Sequence, residues 1–216
     1  MAEGVGSGER PRDLLQTLVI VCIVLTPAWL GPPWWTWLWT ALVAVVAAPA
    51  VWFTWTGAPW VPTPHAELER LVPLLALAPG ERFVDLGAGD GRVLRHVARA
   101  TDAEVIGVEA SVLPWMLGRL RGAGPSGQLL LGSRYGPAMP QRLGLAGARA
   151  VYLWSTPYGL AHPKLPAVLG ALPAGARVVT YGTPLPFWRP REVDRTGQRP
   201  LFCYVVGSSS ERQETT

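Results

Sequence analysis

Lysine is almost absent from this chain: Lys164 is the only one, and the other cationic side chains are arginines. The net charge of +4 therefore reflects an arginine-biased composition, which gives no sign of a nucleic-acid surface, and no nucleic-acid partner is expected. Cysteine is scarce too. Cys22 and Cys203 both sit in apolar runs, and neither belongs to a cluster with metal-ligand spacing. Their number and setting argue against a disulfide framework and a metal centre, and fit a reducing compartment. Charge is missing over one long stretch, with no Asp, Glu, Lys or Arg between Asp13 and Glu67. Charged residues make up 16% of the chain, against roughly 25% in an ordinary soluble domain. Eight of the 11 tryptophans lie at or before Trp60, so the chain divides into two parts of different chemistry.

In the first part, residues 14–30 form an uncharged apolar run, broken at Gly31-Pro32-Pro33 because proline lacks a donor N–H and fixes φ. A second uncharged run covers residues 34–55, with tryptophans near both ends: Trp34, Trp35, Trp37 and Trp39, then Trp52, Trp55 and Trp60. A spanning helix needs about 20 residues, and interfacial belts of tryptophan mark its ends. Residues 1–60 are thus expected to form a two-helix transmembrane hairpin contacting the lipid bilayer. A cleaved signal peptide and a buried core hairpin are the alternatives; no good small-x-small cleavage site follows the first run, and neither run has a polar face. Arg10 and Arg12 assign the N-terminus, and with it the rest of the chain, to the cytoplasmic side of the cell (inner) membrane.

From Pro64 the texture becomes that of an α/β domain. Residues 65–77 have helical spacing at Leu68, Leu71, Val72 and Leu75. Residues 82–86 read as a strand running into Gly87-Ala88-Gly89-Asp90-Gly91, with a helix beginning near Arg92. Strand, glycine turn and helix form the layout of a nucleotide-cofactor site. A dinucleotide site wants a third glycine at position 92, where Arg92 stands, and Asp85 would repel a pyrophosphate. The same carboxylate suits a cofactor with a cationic amino-acid end. Asp-x-Gly-x-Gly-x-Gly is the pattern of S-adenosylmethionine sites, and it nominates Asp85, Gly87, Ala88, Gly89, Asp90 and Gly91 as cofactor-binding. A second strand, residues 104–108, is closed by Glu109, placed 22 residues after Gly87 to accept both ribose hydroxyls.

The remaining elements predict a seven-stranded, Rossmann-like methyltransferase sheet whose last strand pair is antiparallel. A helix is expected over 111–121, strands over 127–131 and 148–154, a helix over 160–172 and a strand over 176–181. Residues 191–193 and 201–206 make the antiparallel pair. After the third strand comes Gly132-Ser133-Arg134-Tyr135, where an acidic residue often meets the adenine; that role is left unfilled or falls to Ser133. Ser155-Thr156-Pro157-Tyr158 follows the fourth strand at the crevice end of the sheet. It partly matches the (Asp/Asn/Ser)-Pro-Pro-(Tyr/Phe) loop of amine methyltransferases, which nominates Ser155, Pro157 and Tyr158 as catalytic; a plain β-to-α turn is the other reading.

The segments Trp60-Val61-Pro62-Thr63, Val84 to Arg92, Gly107-Val108-Glu109, Leu172 to Val179 and Pro184-Leu185-Pro186-Phe187-Trp188-Arg189-Pro190 follow in this order. With them the chain resembles the lysine methyltransferases that act on the ATP synthase c subunit and the adenine nucleotide translocase, and their prokaryotic relatives. The likeness covers roughly residues 60–206. It implies S-adenosylmethionine as cofactor, a lysine-bearing membrane protein as substrate, and Trp188 beside the acceptor. The expected layout is therefore a hairpin over 1–60, a catalytic domain over 61–207 and a disordered tail over 208–216. Two other functions stay open: methylation of a lipid, quinone or small amphiphile, and a non-catalytic membrane protein that binds the cofactor.

Overall fold

The computed structural model describes residues 33–56, 61–124 and 127–207. The first predicted span, over 14–30, and the tail, over 208–216, lie outside them. Two compact units meet in sequence at Trp55 and Thr56.

The first unit contributes helix α1, Pro33–Thr56. It covers the second predicted span, but among the described residues no helix is long and apolar enough to cross a membrane. The expectation of a transmembrane hairpin is corrected to that extent. The physical reason lies in the composition: the first turns of α1 carry Trp34, Trp35, Thr36, Trp37, Trp39 and Thr40, which are less apolar than a lipid-buried helix demands.

The second unit is the α/β domain. Its elements run α2 (His65–Leu75), β1 (Arg82–Leu86), α3 (Arg92–Thr101), β2 (Glu104–Glu109), α4 (Val112–Arg121), β3 (Gln128–Leu131), α5 (Met139–Arg142), a 3₁₀ turn (Leu145–Gly147), β4 (Ala148–Leu153), α6 (Pro157–Leu160), α7 (Leu165–Leu169), β5 (Arg177–Tyr181), β6 (Glu192–Asp194) and β7 (Leu201–Val205). The strands form one sheet in the order β3-β2-β1-β4-β5-β7-β6. β1 to β5 are parallel; β7 runs antiparallel to both β5 and β6. This is the predicted seven-stranded sheet with its last pair antiparallel. Strand order reverses between β1 and β4, and in such sheets the ligand crevice opens beyond the carboxyl ends at that point.

Apolar clusters cover both faces. On one, Leu68, Leu71 and Leu75 of α2 and Val93, Leu94 and Val97 of α3 pack on Phe83, Val105, Tyr152 and Cys203. On the other, Val84, Ile106, Val151 and Val178 meet Leu160, Leu165 and Leu169. Successive residues of each parallel strand thus feed opposite layers, as the pleat requires. A polar clasp ties α2 to the β6–β7 turn. Arg70 pairs with Glu67 and, at 3.0 Å, with Asp194, while the Gln198 N–H donates to Glu67 Oε1 at 2.9 Å.

One glycine sets how closely the layers meet. Gly107 of β2 stands beside Asp85 of β1, and a Cβ there would lie 2.6 Å from the Ala88 Cβ and 2.8 Å from Leu94 Cδ1. Gly107→Ala is therefore expected to cost about 1–3 kcal/mol as an overpacked core position, read as a lower urea midpoint at unchanged slope.

The helix predicted over 160–172 is instead two short helices, α6 and α7. Pro163 interrupts them, since proline removes a backbone donor and biases the residue before it away from helical geometry. Helix α5 and the 3₁₀ turn after it escaped the sequence reading; both are too short to show a period.

Candidate active site

β1 delivers Asp85 to the crevice, and the chain then turns through glycines at angles that glycine adopts without strain: φ is +138° at Gly87, +55° at Gly89 and +72° at Gly91. The loop feeds α3. The Asp85 carboxylate is 1% exposed, and neither of its oxygens has a hydrogen-bond partner among the described residues. Burial, reinforced by the charge of Glu109 and only partly offset by Arg134, pushes this carboxyl up to about 8. A buried, unpaired carboxylate is costly, and such groups concentrate where a ligand completes them.

Glu109, at the end of β2, faces the same loop. Its Oε2 accepts the Gly89 N–H at 2.8 Å and its Oε1 accepts the Ser111 N–H at 2.7 Å. Each oxygen keeps a further lone pair for an incoming hydroxyl. The crevice is closed on its other side by Val61-Pro62-Thr63, and it is lined by Asp85, Gly87, Ala88, Gly89, Tyr152 and Trp154. Thr63 Oγ1 and the Tyr152 hydroxyl are 3.0 Å apart, and Arg92 Nη1 reaches the Thr63 carbonyl at 3.4 Å. Tyr152 lies beside Asp85 in the sheet register, a placement that sequence reading missed because it depends on pairing across 67 positions.

Asp90 also borders the crevice, but its carboxylate is engaged elsewhere. Arg92 Nε and Nη2 donate to it at 3.0 and 3.1 Å, Arg121 Nη1 donates at 2.6 Å, and Arg95 Nη1 donates to its carbonyl at 2.7 Å. Burial alone would raise its pKa, yet the hydrogen bonds and charges of Arg92 and Arg95 hold it below the ordinary carboxylate range. Its place is thus to fasten the loop to α3 and α4. Ser133 is exposed, and its Oγ accepts the Tyr135 N–H at 3.2 Å within its own turn. The residue beside it, Arg134, is the one that reaches inward, donating from Nη1 to the Leu86 carbonyl at 2.5 Å. The charge mismatch after β3 was visible in the sequence; the reach of that side chain was not.

The loop after β4 is built on its own caps. Thr156 Oγ1 accepts the Gly159 N–H at 3.2 Å, and Pro157 occupies the first turn of α6, where its missing N–H costs nothing. Ser155 is buried, and its Oγ has no partner among the described residues. A Cβ on Gly159 would stand 2.2 Å from that oxygen, so a larger residue there would displace the Ser155 hydroxyl. Tyr158 is 81% exposed. The Tyr135 hydroxyl donates to the Gly159 carbonyl at 3.0 Å, and its ring stacks on His162 with centroids 3.9 Å apart. Trp188 packs against Phe187 and Tyr204 at 5.7 and 6.1 Å between centroids.

No family model matches the chain. It is 31% identical over 157 residues to a mouse protein named adenine nucleotide translocase lysine N-methyltransferase, covering 70% of this chain and 64% of that one. The match thus spans just under two thirds of the mouse protein. A protein-lysine N-methyltransferase of Saccharolobus islandicus is 25% identical over 156 residues, which is 69% of this chain and 94% of the relative. Among solved structures, an RNA methyltransferase of Salinibacter ruber in complex with S-adenosylhomocysteine superposes with a TM-score of 0.60 at 21% identity, covering 72% of this chain and 97% of that one. That likeness speaks for the fold alone. With its seven-stranded sheet and its Asp-x-Gly-x-Gly-x-Gly turn, the chain has the fold of that S-adenosylhomocysteine-bound methyltransferase and is similar in sequence to two proteins named as protein-lysine N-methyltransferases.

Proposed function

We propose that the chain transfers a methyl group from S-adenosylmethionine to a lysine side chain of a protein. The observation that carries this reading is the buried Asp85 carboxylate with no internal partner at the mouth of the glycine turn. Asp85 stands where a dinucleotide would bring a pyrophosphate, whereas together with Glu109 it complements an ammonium group and a ribose diol. Gly87, Ala88 and Gly89 leave the backbone open to close approach. Asp85 orients the amino-acid end, and Glu109 the ribose.

The cofactor supplies an electrophilic methyl group on a cationic sulfur. What this chain adds is alignment, exclusion of water and a place for the amine. Ser155 Oγ, buried and unpartnered, accepts one hydrogen of a neutral amine; Pro157 fixes the turn, and the exposed ring of Tyr158 packs on the incoming side chain. With the cofactor held by Asp85, Glu109 and the glycine turn, its methyl group would be available to the amine that Ser155 orients, and the methylated ammonium would give up a proton to water. In-line displacement of this kind is accelerated chiefly by positioning. A lysine must first be neutral, which desolvation against the apolar loop favours.

The membrane side of this reading rests on sequence. The charge-free stretch between Asp13 and Glu67 supports attachment to the cytoplasmic face of a membrane and a membrane protein as the acceptor. One experiment tests both levels. Cell extract is separated into membrane and soluble fractions and incubated with methyl-labelled S-adenosylmethionine, with and without the purified full chain. Label is expected on lysine in a protein of the membrane fraction, falling about tenfold or more with Tyr158→Ala because a positioning contact is lost. Label in the lipid extract overturns the lysine reading; label confined to soluble protein overturns the membrane location.

A further inference from the structure

An arginine inside a cofactor crevice built from carboxylates needs a reason. Arg134 enters from the loop after β3 and donates to the carbonyl of Leu86, the last residue of β1. Its guanidinium atoms stand 3.6–3.8 Å from where a Cβ on Gly87 would be. That is the side of the turn left open by glycine, against which a ligand would be laid. Its charge bears on both Asp85 and Glu109. On its other side the guanidinium lies 5.6 Å from the centre of the Tyr135 ring, and Tyr135 in turn holds Gly159 of the acceptor loop.

We propose that Arg134 is a specificity-determining residue that sets the balance between the methylated cofactor and its demethylated product at this site. The inference rests on the methyltransferase reading above. S-adenosylmethionine and S-adenosylhomocysteine share the ammonium, the carboxylate and the nucleoside; they differ by a methyl group and one positive charge on sulfur. A fixed cation beside Gly87 therefore disfavours the sulfonium and leaves the thioether untouched. Asp85 and Glu109 act on the sulfonium with the opposite sign, so the Arg134 charge offsets a preference that they would otherwise impose. The consequence is a protein that holds its product comparatively well, and whose turnover answers to the ratio of the two ligands.

The test is calorimetric titration of the full-length protein with each ligand separately, without acceptor. Arg134→Met and Arg134→Gln are expected to shift the ratio of the two Kd values towards S-adenosylmethionine by roughly tenfold, as a unit charge near 10 Å does at an effective dielectric of about 20. Arg134→Lys, which keeps the charge, is expected to leave the ratio within about twofold of the unaltered protein. Damage to the fold alone would weaken both ligands together, and two neutral replacements of different polarity guard against a misfolded variant. An unchanged ratio in both neutral variants overturns the inference while leaving the methyltransferase reading intact. Binding of neither ligand by the unaltered protein overturns both.

Discussion

Asp85→Asn is expected to fold, to gain stability at alkaline pH and to lose S-adenosylmethionine binding by about 100-fold or more, the usual consequence of deleting one partner of a desolvated charge pair. The reasoning starts from burial. A carboxyl pushed up to about 8 is protonated at pH 7. A ligand ammonium seated against it must expel that proton, so binding at pH 7 releases a proton to the buffer. Affinity is therefore expected to weaken about tenfold for each pH unit below 7, and titrations in buffers of different ionisation enthalpy measure the release directly. Stability runs the other way. The folded pKa lies above the unfolded one, so the folded state is favoured in full below the ordinary carboxylate range. That advantage is lost as pH rises to 8, by about 1.4 kcal/mol per pH unit. Asparagine removes the dependence. Wild-type affinity in Asp85→Asn, or no proton release on binding, would show that some other group receives the ligand's amino end.

Glu109→Ala is expected to have the second largest effect, for two separable reasons. It removes the acceptor for a ribose diol, and hydrogen bonds to a charged group contribute about 1.5–3 kcal/mol each, so the Kd should rise about 100-fold. It also strands the Gly89 and Ser111 N–H groups, at a cost of about 1–3 kcal/mol of stability. Glu109→Gln separates these effects. One amide oxygen can still accept from Gly89 or Ser111, but the NH2 group then faces the other N–H, so stability and affinity should each return only in part. If 2′-deoxyadenosyl and ribosyl forms of the ligand bind Glu109→Ala and the unaltered protein with the same preference, the ribose assignment fails.

How much of this was legible in the sequence depended on the range of the interaction. The strands carrying Asp85 and Glu109 were readable because short runs rich in Phe, Val and Ile stand just before the glycine turn and just before an acidic residue at the expected spacing. The glycine turn was readable because left-handed backbone at three alternate positions demands glycine. Contacts between distant segments were not. Nothing local to Tyr152 announces Thr63, and nothing in Glu67 or Arg70 announces Asp194. Arg134 was hidden for a related reason: a long side chain on a loop can reach several elements, and only the packed fold selects one. Asp90 lay within the cofactor pattern, yet three neighbouring arginines bind its carboxylate or backbone, which no motif could disclose. The second N-terminal run, residues 34–55, shows the opposite difficulty. Absence of charge resembles a membrane span, but tryptophan and threonine are poorer lipid residues than their lack of charge suggests.

The position of β7 between β5 and β6 has a consequence for how the protein is made. β5 has its outer hydrogen-bonding edge covered by residues 201–205, which leave the ribosome 20 to 28 positions after their partners. Until then Val178, Val179 and Tyr181 border an unsatisfied edge, and the earlier strands can assemble only a half-sheet around β1 and β4. A nascent chain stalled after β5 would present that edge to neighbours on the same message, so timely release of the final strand protects this protein from its own copies.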